Sequence, residues 1–154
     1  MSRAFVKEQD ADSVIDLPER LISEHPNDVT AQGLALIKAA FARAQQEHAA
    51  AQAADDREAI ARAARDMRYW DARRATAHVV APNDDTTQVR FGHAVTLMRD
   101  DGREQIFRIV GEDEADPAKG TLSHVAPLAR ALYGKSVSDT VRVGAHELEI
   151  LAIT

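Results

Sequence analysis

Between residues 30 and 80 the chain has no proline, and Gly33 is its only glycine. Such a stretch carries nothing to break a helix, and it is too long for one ordinary globular helix. Leu34, Ile37, Phe41, Ala44, His48 and Ala51 recur at alternating intervals of three and four, the heptad spacing of a helix that packs along a second one. Asn27, Asp28 and Thr30 each offer an N-cap oxygen at its start. Asp55, Asp56, Arg57 and Glu58 interrupt the pattern. It resumes with Ile60, Ala63, Met67, Trp70 and Ala77, with Arg74 in the seam position between the last two. The spacing predicts two helices of roughly 24 residues, each about 36 Å long, joined by a tight turn into an antiparallel hairpin.

The rest of the chain divides around that hairpin. Residues 1–27 are polar, contain Pro18 and Pro26 and show no periodicity, so an extended or poorly ordered arm is expected. Its short apolar pieces are Phe5, Val6 and Val14 to Leu17. The hairpin takes residues 28–80, and residues 81–88 read as a linker. Residues 89–154 change period. Val89 to Phe91, Ala94 to Met98, Gln105 to Val110 and Leu148 to Ile153 read as strands, with a turn at Asp100-Asp101-Gly102. Pro127 to Tyr133 reads as one short helix, closed by Gly134. The expected class is α+β: a helical coiled-coil hairpin, then a small, largely antiparallel sheet with one helix.

Composition narrows the function classes. Aromatic residues are only 5% of the chain, little for a thick core. The net charge of −6 falls as −3 on residues 1–54, +1 on 55–80 and −4 on 81–154. An acidic chain has no electrostatic reason to hold nucleic acid by itself, so any such contact is expected to be indirect. The absence of cysteine excludes thiolate chemistry and Cys-based zinc sites. With no apolar leader-like run and no membrane-length segment, a cytoplasmic protein without membrane contact is expected. P-loop, Ser/His/Asp and dinucleotide-binding patterns are missing, so no active site of its own is expected.

Several stretches are more specific. Arg108-Ile109-Val110-Gly111-Glu112-Asp113-Glu114-Ala115-Asp116, Ala126-Pro127-Leu128-Ala129-Arg130-Ala131-Leu132-Tyr133-Gly134-Lys135 and Val89-x-Phe91-Gly92-x-Ala94-Val95 stand in order after the hairpin. Within the hairpin are Thr30-x-x-Gly33, Arg65-x-x-Arg68-Tyr69 and Ala77-His78-Val79-Val80. Over residues 29–154 this pattern resembles the GreA/GreB family of bacterial transcription elongation factors, in a GreB-like form. The resemblance implies an FKBP-like C-terminal domain that grips the rim of the RNA polymerase secondary channel, with the hairpin directed toward the active centre. It implies a monomer that stimulates cleavage of backtracked transcripts, its tip acids sharing a Mg²⁺ with the polymerase and no metal bound alone. Asp55, Asp56 and Glu58 fall at the tip. Asp113, Glu114, Pro127, Leu128 and Arg130 are the residues expected to contact polymerase.

The sequence also departs from that family. Ala54-Asp55-Asp56-Arg57-Glu58 stands where the full-length factors have a Gly-Asp-x-x-x-Glu-Asn type of tip, and each arm lacks about eight residues, or roughly 12 Å. Two alternatives therefore stay open: a regulator that occupies the channel without cleavage, like the regulator of nucleoside diphosphate kinase, and an FKBP-type prolyl isomerase. The second needs an aromatic-lined pocket, for which Phe91, Phe107 and Tyr133 are scant material. A purely structural role, with the hairpin as a dimerisation arm, is a third reading. Local readings compete at individual residues too. Asp55-x-x-Glu58 has the form of a capping box, Asp113, Glu114 and Asp116 could be a solvated loop, and Leu128 could be core. Arg62, Arg65, Arg68, Arg73 and Arg74 could be a solvated face with an Arg62–Asp66 pair. His48 and Trp70 read as packing residues.

Overall fold

The computed structural model describes residues 17–154, so the expectations for Phe5, Val6 and residues 14–16 lie outside the described residues. Helix α1 spans Ala31–Ala53 and helix α2 spans Arg57–Thr76, and they pack antiparallel. The predicted seam is their contact: Ile37, Ala44 and Ala51 are buried on α1, and Ala63 on α2. Toward the turn the buried seam residues are alanines, Ala44 and Ala51 on α1 and Ala63 on α2. Arg74, the polar residue in the seam, lays its guanidinium 4.2 Å from the centre of the Phe41 ring and pairs with Asp71, so its stem covers apolar surface while its charge stays wet.

Thr30 caps α1 by accepting a hydrogen bond from Gly33 N at 2.9 Å. Just before it, β1 (Asp28–Val29) pairs in parallel with β2 (His78–Val79), just after α2. The hairpin is thus tied at its open end, and Val29 within the tie is buried. This two-residue pair was not anticipated, because two residues carry no period.

The remaining strands are β3 (Ala94–Arg99), β4 (Glu104–Val110), β5 (Thr121–Ser123), β6 (Thr140–Val143) and β7 (His146–Ile153), with the short helix α3 at Pro127–Leu132. They form one sheet in the order β5-β4-β3-β7-β6. The β4–β5 pairing is parallel and the other three are antiparallel. Alternation along β3 turns Val95 and Leu97 into the core and leaves Thr96 and Met98 on the half-covered face. Val89, Ile109, Leu122, Ala129, Leu132, Val141, Leu148, Ile150 and Ile153 complete that core.

Val89–Phe91 is not a strand. Val89 instead clips the turn after α3, donating to Lys135 O at 2.8 Å and accepting from Gly134 N at 2.9 Å. The linker, residues 81–88, has no helix or strand. It is fixed at one point by buried His93. The His93 Nδ1 accepts from Arg90 N, and Nε2 lies 2.8 Å from Asn83 O.

Candidate functional site

The hairpin is fastened to the sheet domain through the loop that follows β4. Arg73 on α2 is 2% exposed, the most enclosed charged group among the described residues. Its Nε donates to Asp113 Oδ2 at 2.6 Å, its Nη2 donates to Asn27 Oδ1 at 2.8 Å, and Glu112 Oε2 stands 3.5 Å from Nη2. Asn27 closes the ring by donating to Arg73 O and Thr76 Oγ1. One helical turn earlier, Tyr69 donates to Asp113 Oδ1 at 2.5 Å. Burial and this bond to a carboxylate push the Tyr69 phenol up to about 12. Thr30 supplies a second fastening by donating to Glu114 Oε2 at 2.5 Å. Burial also holds the nearby His124 imidazole below its ordinary value, against the opposing charges of Asp28 and Glu112.

Two glycines make this approach feasible. A methyl group on Gly111 would stand 2.6 Å from the Asp28 carbonyl oxygen, and one on Gly33 would stand 2.6 Å from Glu114 Oε2. The first clash is with backbone and cannot be relieved by a rotamer change. The second is with the end of a flexible side chain.

Asp113 and Glu114, expected at a polymerase contact, are therefore engaged within the molecule. The Asp113 side chain is 8% exposed and bonded to two groups on α2. Arg73, read as part of an arginine face, is the centre of the joint. Asp66 pairs with Arg65 and Arg20 rather than with Arg62. On α3, Pro127 and Arg130 are exposed and Leu128 is partly buried against the core. Arg130 Nη2 lies 3.3 Å from His25 Nε2.

At the far end, Asp55, Asp56 and Glu58 are exposed in the turn between the helices. Asp55 has φ 51°, a left-handed conformation that aspartate tolerates better than most residues. The α2 cap is Asp56, whose carboxylate accepts from Ala59 N at 3.1 Å, so the cap lies one residue later than the Asp55–Glu58 spacing implied. Among the described residues no group of three or more His, Asp or Glu side chains is arranged to hold a metal ion.

Comparison with known proteins finds similar sequences and folds. The family model for the GreA/GreB transcription elongation factor C-terminal domain matches residues 83–154. The chain is 43% identical over 95 residues to transcription elongation factor GreB of Neisseria meningitidis serogroup B, covering 58% of each chain. Over its C-terminal part the chain is similar to the GreA/GreB family. Transcription elongation factor GreA of Paracoccus denitrificans is 40% identical over 82 residues, covering 50% of this chain and 53% of that one. The chain thus spans between half and three-fifths of the length of these GreA/GreB relatives. Among solved structures, GreA factor homolog 1 of Thermus thermophilus aligns with a TM-score of 0.42 at 16% identity, covering 84% of this chain and 99% of that one. No helix among the described residues is long and apolar enough to cross a membrane.

Sequence reasoning missed Arg73, Tyr69, Asn27 and Glu112 as parts of the joint. One signal was available for the first two: Tyr69 and Arg73 are four apart and flank the seam residue Trp70, so they share a second face of α2.

Proposed function

We propose that this chain is a member of the GreA/GreB family that regulates bacterial RNA polymerase from its secondary channel. The sheet domain grips the channel rim through Pro127, Leu128 and Arg130, and the hairpin points inward. The observation that carries this reading is the buried Arg73–Asp113–Asn27 brace. It fixes the hairpin as a rigid projection from a GreA/GreB domain, with the turn about 25 Å along α2 from Arg73. A floppy tether would lose entropy on entering a channel, whereas a braced rod has already lost it.

The roughly 12 Å of reach that the arms lack favours occupation of the channel over cleavage of the transcript. Asp56 is held by its own helix as a cap, which leaves Asp55 as the carboxylate best placed to add one ligand to a polymerase-held Mg²⁺. That ion would supply charge stabilisation for phosphodiester chemistry when bound. The chain itself performs no covalent step in this reading, and it acts as a monomer that touches nucleic acid only through the elongation complex.

The test is the purified protein added to backtracked elongation complexes, with transcript length followed on gels. The expected result is binding that Arg130→Ala weakens, without transcript shortening. Shortening that is abolished by Asp55→Ala would replace occupation by cleavage stimulation. Failure to bind polymerase would remove the reading altogether.

A further inference from the structure

The arm before β1 lies along α2, and one of its side chains occupies a built receptor. Arg20 places its guanidinium carbon 3.8 Å from the centre of the Tyr69 ring and 5.2 Å from that of Trp70. Its Nη1 lies 3.3 Å from Asp66 Oδ1. The two rings meet edge to face, with centroids 4.9 Å apart and planes at 81°, so they form two walls of a corner. Asp66, one helical turn earlier, supplies the countercharge. The preceding Glu19 pairs bidentately with Arg68, accepting from Nη2 at 2.6 Å on one oxygen and from Nε at 3.0 Å on the other. A carboxylate beside two aromatic faces is the arrangement that recognises a flat cation, and it suits arginine better than lysine because the guanidinium stacks and donates in one plane.

We infer that Asp66, Tyr69 and Trp70 form a guanidinium-binding site on the hairpin, filled by the chain's own Arg20 as an exchangeable internal ligand. An acidic residue followed by arginine on another protein is the chemistry that would replace it. Exchange is feasible because the contacts are individually weak. Arg20 and Asp66 side chains are 35% and 29% exposed, and solvent-facing ion pairs hold little alone. The tether keeps Arg20 in place by effective concentration. The site also adjoins the joint, since the ring under Arg20 is the one whose hydroxyl grips Asp113. Displacing Arg20 alone would uncover Tyr69 without removing the brace. The site stands on its own geometry and does not depend on polymerase being the partner.

Trp70 is the only tryptophan and so reports on the site directly. The experiment uses the full chain and the Arg20→Ala variant, with helix content checked by circular dichroism. Each is titrated with N-acetyl-Glu-Arg-amide while Trp70 emission is followed. The expected result is saturable binding by the variant at millimolar probe, at least about threefold tighter in apparent affinity than in the parent, where the tethered Arg20 competes. The lysine-containing probe should bind more weakly, and Asp66→Asn in the Arg20→Ala background should abolish the response. No saturable response in the Arg20→Ala variant would show that there is no such site. Equal titration of parent and variant would show that Arg20 does not occupy it.

Discussion

Arg73 is a charged residue on a helix that would ordinarily face water, and here it is enclosed. Removing one member of a buried, hydrogen-bonded ion pair leaves the partner charge uncompensated. Arg73→Ala should therefore destabilise the fold by about 3–5 kcal/mol, read as a lower midpoint in urea unfolding. Arg73→Lys, with no planar fork to serve Asp113 and Asn27 together, should recover only part of that loss. Tyr69 gives a pH-dependent companion. Its folded-state value is raised from 10.0 to about 12, so its contribution is complete below pH 10 and is lost as pH rises through about 12. Stability of the parent should fall across that window more steeply than stability of Tyr69→Phe, as measured by chemical denaturation at each pH. Neither role was legible from the residue alone. An arginine among five others on α2 reads as a solvated face, and only the packing of a loop 40 residues away buries this one.

At the scale of elements, the hairpin was legible because its evidence is local. Heptad spacing, absent breakers and the acidic interruption all act within a few residues, and the buried Ile37, Ala44, Ala51 and Ala63 follow from them. β5 and β6 span three and four residues, and their pairing partners are set by tertiary packing, so short-range alternation gave no signal. The helix caps divide in the same way. Thr30 was among the anticipated oxygens, but the choice of Asp56 over Asp55 depends on the left-handed turn residue between the helices. Thr30→Ala should cost about 1 kcal/mol from the lost cap, and more because the Glu114 anchor goes with it. Thermal melts compared with Glu114→Ala, which keeps the cap and loses the anchor, would separate the two parts. Gly111→Ala should be worse than Gly33→Ala in the same melts, since only the first drives a methyl group against backbone.

For the whole molecule, the brace and the domain match together make a rod on a base, and the proposed role needs that rod free. Sedimentation equilibrium should give a mass near the 16.8 kDa of one chain. A stable dimer through the hairpin would block insertion and favour a dimerisation arm instead. The similarity of the C-terminal part to the GreA/GreB family was readable because the motifs at 108–116 and 126–135 are long and ordered. The internal use of the first motif was not readable, because a contact to a partner and a contact to one's own helix leave the same acidic residues in the sequence.

The parallel tie between Asp28–Val29 and His78–Val79 brings the hairpin's entrance and exit to a single point. Everything between them is a closed cassette whose attachment is independent of its extent. Adding seven residues to each arm would advance the tip by about 10 Å while keeping the seam in phase. Such a change would leave Arg73, Asp113 and the sheet where they are. Reach is therefore a quantity that evolution or an experimenter can tune in heptad steps without renegotiating how the rod is held.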